Sequence, residues 1–319
     1  MRSVSVIIPT RNRSRLLATT LRSVLWQRDV DLNVVVVEDA STDDTAEMVA
    51  GLGDPRVALV QRDAPHGPSA ARNVGAEQAG GEWLAFCDDD DLWAPDKLAE
   101  QVAAAEAAGR DWAFVGSVNV GDALEVVAGA PPPGPQEVVD ALLRYNAVPG
   151  GGSNVILRRT LFEDLGGFDE RFPPCEDWEL WIRLAREGPP AVVNRPLMGY
   201  RLHAGSSSLD TARILRATRL IERVHGTTVD RGRLHRWLAE SCLRTGHRGQ
   251  ALGHLARAAA RGQARGVASD LRDILRRRLG PRGRPNRPVG AHERWAAEAS
   301  GWLRDLARRD AGTEGAEAP

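Results

Sequence analysis

Four aspartates, Asp88, Asp89, Asp90 and Asp91, stand side by side directly after the apolar run Trp83–Cys87. Neighbouring carboxylates resist joint ionisation. Hard oxygen donors in this number suit Mg²⁺ or Mn²⁺, which offset the charge and clamp a diphosphate. The plainer reading has two or three of them facing solvent and capping a helix that starts near Pro95. Glu38 and Asp39 end a second apolar run, where they can accept from a base N–H or a ribose hydroxyl. One of Ser41, Thr42 and Asp43 caps the helix that follows. Arg72 lies one turn into a short helix opened by Pro68. It either pairs with an acid of the cluster or a phosphate, or sits on the surface of an amphipathic helix. Glu176 and Asp177 begin a helix whose dipole favours their charged forms, while burial against Trp178 and Trp181 pulls the other way. His203 follows an apolar segment and either completes a metal's coordination or hydrogen-bonds a loop.

These side chains need a scaffold that brings them together. Val4–Pro9, Leu32–Val37, Arg56–Val60 and Trp83–Cys87 read as strands buried on both faces. Helical patterns over Ser14–Trp26, Asp43–Ala50 and Pro68–Gln78 alternate with them. That alternation predicts an α/β fold with a parallel, doubly wound sheet, in which ligands bind beyond the carboxyl ends of the strands. "PTRNR", "EDASTDD" and "CDDDD" each begin where a strand stops, so three polar clusters share one rim. After Ala108 the pattern changes. "DWAFVGSVNV" and "ALEVVAG" read as a hairpin, and a Pro-rich link leads to a helix ending near Tyr145. "VPGGGSNVILRR" reads as a Gly-rich loop entering a short strand, and "EDWELWIRLAREG" as a helix striped by Trp178, Trp181, Ile182 and Ala185.

The 319 residues, 42% hydrophobic and 27% charged, fit one large domain plus an appendage. No apolar run approaches the ~20 residues that span a bilayer, and "MRSVSVIIPT" reads as a strand rather than a signal peptide. Cys87, Cys175 and Cys242 are odd in number and far apart, as expected of reduced thiols in a cytoplasmic protein. The net charge of −1 hides an asymmetry. Thr211–Gly290 carries 19 arginines, no lysines and five acids, whereas the preceding 210 residues carry 32 acids and 19 basic residues. This basic arm reads as helical, with Gly246 in the turn of a helix–turn–helix pair. It is either the solvated face of a helical domain packed on the core or a surface for anionic head groups, acidic glycans or polyprenyl phosphates. Nucleic acid is not expected, because no aromatics are interleaved at base-stacking spacing. "GPRGRPNRPVG" reads as a flexible link and "RRDAGTEGAEAP" as a disordered tail.

Taken in order, "VSVIIPTRNR", "VVVVEDASTDDT", "HGPSAARNVGAEQAGGEWLAFCDDDDLWAPDKL", "GGFDERF", "CEDWELWIRLA" and "YRLHAGSSS" resemble the family 2 glycosyltransferases, the large inverting group with the GT-A fold. The resemblance covers residues 1–208. It implies a nucleotide-sugar half over about 1–108 and an acceptor half over about 109–208. Outside it lie a basic helical extension at 209–280 and a linker, short helix and disordered tail at 281–319. By resemblance, Pro9, Thr10, Arg11, Glu38 and Asp39 line the donor pocket, with Asp39 near the base and Arg72 beside the diphosphate. Asp90 holds the metal, with Asp88 and His203 assisting, and Asp88 and Asp89 face the ribose. Asp177 is the catalytic base, supported on the acceptor side by Glu176 and Trp178. Asp91 is expected to be structural.

The family's Asp-Asp-Gly-Ser is here Glu38-Asp39-Ala40-Ser41, so the turn has lost its glycine. The Gln-any-any-Arg-Trp signature of processive synthases is absent, which implies transfer of a single sugar. The expected activity is therefore inverting, Mn²⁺- or Mg²⁺-dependent transfer from a nucleotide-diphosphate sugar to an acceptor hydroxyl, in cell-surface glycan or natural-product glycosylation. The acceptor is open: a glycan, a polyprenyl-linked sugar or a small molecule. A cytoplasmic location, with peripheral membrane contact through the arm, goes with it. The alternatives are a non-catalytic sugar-binding relative and a nucleotidyltransferase, though the latter's Gly-rich phosphate loop with a following lysine is missing.

Overall fold

Alternation of side chains along the first strands decides how the sheet is covered. In β1 (Ser3–Thr10), Val4, Val6 and Ile8 enter one apolar cluster while Ile7 enters another. In β2 (Asp31–Glu38), Leu32, Val34 and Val36 divide from Val35 and Val37 in the same way. Both faces are therefore buried, and helices must lie on each. The structure is a computed structural model and describes residues 2–203, 210–244, 246–279 and 291–310.

The helix α1 (Ser14–Leu25) follows β1, and α2 (Thr45–Gly51) follows β2. Next come β3 (Val57–Gln61), α3 (Pro68–Glu77), β4 (Trp83–Phe86), the two-residue β5 (Leu92–Trp93) and α4 (Lys97–Ala108). The second half holds β6 (Trp112–Val120), β7 (Val126–Ala130), α5 (Pro135–Leu142), β8 (Ile156–Arg158), α6 (Arg159–Asp164), α7 (Glu176–Glu187) and β9 (Ala191–Arg201). The nine-stranded sheet runs β3-β2-β1-β4-β8-β6-β9-β5, with β7 paired to β6. β1 to β4 are mutually parallel, whereas β8 is antiparallel to both β4 and β6. The sheet is thus doubly wound in its first half and mixed beyond it.

Several sequence expectations need correction. β3 is not buried on both faces: as the edge strand, its five residues are all partly or fully exposed. The helix expected to reach Tyr145 ends at Leu142. The "short helix" near the C-terminus is α12 (Ala291–Asp310), 20 residues long. It therefore takes in Arg308, Arg309 and Asp310 of the expected tail; the remaining nine residues and the link at 280–290 lie outside the described residues. So do Ala204–Ser208 of "YRLHAGSSS".

α12 is built into the core of the first apolar cluster, to which it gives Trp295, Ala299, Trp302, Leu303 and Leu306. The Trp302 indole donates to the Pro196 carbonyl at 2.9 Å. A Cβ on Gly116 of β6 would stand 2.1 Å from the Trp295 ring, so the strand has to be bare there for the indole to lie against it. The arm comprises α8 (Thr211–His225), α9 (Arg231–Arg244), α10 (Arg248–Ala258) and α11 (Ala264–Leu279). Ile221 of α8 and Val229 beyond it join the cluster on the other face of the sheet. Ala239, Leu255, Ala258 and Val267, from α9 to α11, form a small core of their own. Gly246 turns between α9 and α10 with φ +79°. No helix among the described residues is long and apolar enough to cross a membrane.

Candidate active site

Parallel pairing puts the ends of β1, β2 and β4 at one rim: Thr10 lies opposite Glu38, and Ile7 opposite Phe86. The three polar motifs accordingly meet. Thr10 Oγ1 donates to Asp89 Oδ2 at 2.8 Å. Arg13 Nη1 reaches Asp89 Oδ1 at 2.9 Å and Asp90 Oδ2 at 2.8 Å. His203 Nε2 sits 2.7 Å from that same Asp90 oxygen.

The four aspartates have unequal surroundings. Asp88 is partly open; its backbone N–H donates to Ser153 Oγ and its carboxylate accepts from Arg72. Asp89 is 5% exposed, and burial, helped by Asp90 and opposed by Arg13, pushes its carboxyl up to about 6. Asp91 is fully buried. Its oxygens accept from Ser153 Oγ at 2.5 Å and from the Arg201 backbone at 3.1 Å. Burial, with Asp90 and Asp88 alongside, holds its carboxyl well above the usual range. Ligand oxygens of Asp88, Asp90 and Asp91 lie within 4.8 Å of one another. This all-oxygen donor set fits a hard divalent cation. Asp91 is braced from two sides, and Asp88 and Asp90 are the more open members.

Beneath the cluster lies Lys97, fully buried, its Nζ 2.8 Å from Gln101 Oε1 and 3.9 Å from the centre of the Trp93 ring. Burial lowers its ammonium to about 7, against the attraction of Cys87 and Asp91.

Asp39 accepts from the backbone N–H groups of His66 (3.1 Å) and Gly67 (2.8 Å) and faces Arg62 at 3.2 Å. It therefore anchors the loop that enters α3 at this rim of the sheet. Glu38 accepts from the Ser41 N–H, so its carboxylate closes the turn of its own motif. Ala40 in that turn has φ +57°, the left-handed conformation that a glycine would adopt without strain. Pro9 and Thr10 are buried in β1, and Arg11 is exposed just beyond it.

Arg72 is 3% exposed, which removes the surface-arginine reading. Its Nη2 meets Asp88 Oδ1 at 2.5 Å, its Nη1 meets Glu176 Oε1 at 2.8 Å, and it lies over the Phe168 ring. One guanidinium therefore joins the aspartate cluster to the Glu176–Asp177 pair. The neighbouring Gly152 carries no side chain that could crowd it; a Cβ there would be 3.4 Å from Arg72 Nη2.

Asp177 is half-buried in the first turn of α7. Burial first, then Glu176, pushes its carboxyl up to about 6, against the Trp178 N–H and Arg72. Oδ1 accepts from the Trp178 N–H at 2.6 Å, and Oδ2 from Asn146 Nδ2 at 3.2 Å. Trp178 is buried and donates through its indole to the Leu142 carbonyl at 2.7 Å.

Sequence reasoning did not single out Arg13, Ser153, Asn146 or Lys97. Arg13 and Ser153 stood inside motifs already marked, "PTRNR" and "VPGGGSN". Nothing in the sequence distinguished Asn146.

The sequence matches the profile described as Glycosyl transferase family 2 over residues 5–166, and that described as Glycosyltransferase like family 2 over residues 138–217. It is 32% identical to the succinoglycan biosynthesis protein ExoO of Rhizobium meliloti (strain 1021), over 67% of this chain and 63% of that protein. The chain thus spans less than two thirds of that relative's length. It is 29% identical to WfaP of Escherichia coli, a UDP-Glc:alpha-D-GlcNAc-diphosphoundecaprenol beta-1,3-glucosyltransferase, over 65% of this chain and 80% of that one. Its fold is shared with the mannosyltransferase PcManGT of Pyrobaculum calidifontis, solved with GDP-Man and Mn²⁺. The TM-score is 0.53 at 21% identity, covering 98% of this chain and 88% of that one. This chain, with its GT-A fold, belongs to glycosyl transferase family 2.

Proposed function

We propose that the protein is an inverting, divalent-metal-dependent glycosyltransferase. It moves one sugar from a nucleotide-diphosphate sugar to an acceptor hydroxyl in the assembly of a surface polysaccharide. The observation that carries this reading is Arg72, whose single guanidinium bridges Asp88 of the cluster and Glu176 beside Asp177. A diphosphate held at the cluster is thereby kept next to a carboxylate able to take a proton.

Asp88 and Asp90 would hold Mn²⁺ or Mg²⁺, which, when bound, offsets the charge of the leaving diphosphate. Asp91, braced by Ser153 and Arg201, fixes the loop behind them. Asp89, locked to Thr10 and Arg13, shapes the ribose side. Arg13 and His203 meet Asp90 on its other flank. Asp177, ionised above about pH 6, removes the acceptor's proton as its oxygen attacks the anomeric carbon from the face opposite the diphosphate. A single base suffices for inversion.

The named donors of WfaP and PcManGT, UDP-Glc and GDP-Man, support a nucleotide-sugar donor here, and the Mn²⁺ of PcManGT supports the metal. The WfaP acceptor supports a polyprenyl-diphosphate-linked sugar, which the arginine-rich arm would meet at an anionic membrane surface. Family membership sets the nucleotidyltransferase alternative aside.

The test is turnover of UDP-glucose, UDP-N-acetylglucosamine and GDP-mannose with Mn²⁺, before and after EDTA. One donor is expected to be consumed, with loss on chelation and recovery on adding Mn²⁺. Nucleotide-sugar binding without turnover would instead favour a non-catalytic relative. Turnover indifferent to EDTA would remove the metal from the mechanism.

A further inference from the structure

Resting on the reading of Asp177 as the base, a second task for the helical arm follows from one short segment through which it reaches that base. That segment follows α5. A helix leaves its last carbonyls without intrahelical donors, and here three consecutive ones are met from elsewhere. Leu142 O accepts from the Trp178 indole, Leu143 O from Thr227 Oγ1 and Arg144 O from the Asp230 N–H at 2.8 Å. Thr227 and Asp230 belong to the corner between α8 and α9. Arg233, in the first turn of α9, lies over the Tyr145 ring at 4.2 Å. The corner is itself tied: Arg231 reaches both Thr218 and Glu222 of α8, and the Val229 N–H donates to Glu222 at 3.1 Å.

The residue this clamp delivers is Asn146. Its Oδ1 accepts from the Val148 N–H at 3.3 Å, which turns its Nδ2 toward Asp177 Oδ2 at 3.2 Å. With the Trp178 N–H on Oδ1, each oxygen of Asp177 then has one fixed donor, and the plane of the carboxylate is set. Each oxygen keeps a further lone pair for an acceptor's proton. Asn146 is exposed, so this contact lies at the open side of the site. Gly151, with φ +60°, skirts the same oxygen; a Cβ there would stand 3.4 Å from Oδ2 and begin to cover it.

We propose that Asn146 is a positioning residue for Asp177 and that the α8–α9 corner holds it in place, so that the arginine-rich extension is a working part of the acceptor site. The extension therefore contributes to the rate at the base, whether or not it also touches an acceptor or a membrane.

The test compares Asn146→Ala, Arg233→Ala, Arg233→Lys and Asp177→Asn, using whichever of UDP-glucose, UDP-N-acetylglucosamine and GDP-mannose is turned over, with Mn²⁺ and with water or a polyprenyl-diphosphate sugar as acceptor. A misplaced base costs up to about 100-fold, so Asn146→Ala is expected to lower kcat about 10- to 100-fold with the donor KM changed less than about twofold. The lost N–H favoured the charged carboxylate, so the acid limb of the kcat profile moves to higher pH. Glu176, Cys175, Arg72 and Asp88, the other titratable or charged groups around Asp177, are unchanged in this variant. Arg233→Ala moves both quantities the same way by less, and Arg233→Lys, which keeps a cation over Tyr145, restores them. Asn146 is at the surface, so an unchanged thermal melt is expected. A wild-type kcat in Asn146→Ala, or a lowered kcat with an unmoved acid limb, overturns the positioning role while an inactive Asp177→Asn leaves the base reading standing. An active Asp177→Asn overturns the base reading itself.

Discussion

Replacing Asp177 by Asn removes a charge that the fold tolerates at a cost, so the variant should be more stable as well as inactive. The carboxyl is raised from 3.8 to about 6 by burial and by Glu176. A carboxyl raised that far destabilises the folded chain by about 3 kcal/mol when it is ionised. Asparagine keeps an oxygen for the Trp178 N–H but brings an NH₂ toward Asn146, so the net gain is nearer about 1–3 kcal/mol. A raised folded-state value means that the folded chain binds the proton more tightly than the unfolded one. The penalty in the parent protein is therefore complete above about pH 6, falls as the pH drops, and vanishes below 3.8. At pH 5 it is about half its value at pH 8. Urea unfolding of both proteins at pH 8 and pH 5 measures this directly. The advantage of Asp177→Asn should be largest at pH 8 and smaller by about 1–1.5 kcal/mol at pH 5, with sugar transfer lost at both. A variant less stable than its parent at pH 8, or one whose advantage grows on acidification, would refute the assignment of a strained, charged base.

Three further outcomes are expected. Arg72→Ala leaves Asp88 and Glu176 facing each other without their shared cation, and should cost about 3–5 kcal/mol in urea unfolding. Ala40→Gly relieves a left-handed residue in the turn after β2 and should gain up to about 1 kcal/mol, read from the same curves. Gly116→Ala drives a methyl into the Trp295 ring and should lose about 1–3 kcal/mol, seen as a lowered thermal midpoint.

Much of the rim at the carboxyl ends of β1, β2 and β4 could be read from the sequence, because two local rules coincide there. Near-continuous apolar runs located β1, β2 and β4, and polar motifs directly after them had to share the carboxyl edge of a parallel sheet. Asp39 and Asp88–Asp91 were placed in this way, Arg72 from the helix opened by Pro68, and Thr10 from the family resemblance. The failures involve contacts between residues distant in sequence. The apolar residues of β3 suggested burial, but its place at the edge depends on the order of strands, which no single segment encodes. Trp295, Trp302 and Leu306 have helical spacing, yet their destination is a sheet face whose bare Gly116 lies 179 residues earlier. Asn146 looked like an ordinary loop residue because its partners, Asp177 and the α8–α9 corner, lie 31 and more than 80 residues further on.

The floor of the acid cluster has a practical consequence. Lys97 is the single lysine of the sequence, and it is sealed between Trp93 and Gln101. An acylating reagent that seeks side-chain amines has no target on the closed fold and gains one only when α4 parts from the sheet. The mass of one added acyl group at position 97, followed over time, is thus a clock for opening events directly beneath the aspartates. A nucleotide sugar that tightens the rim should slow it.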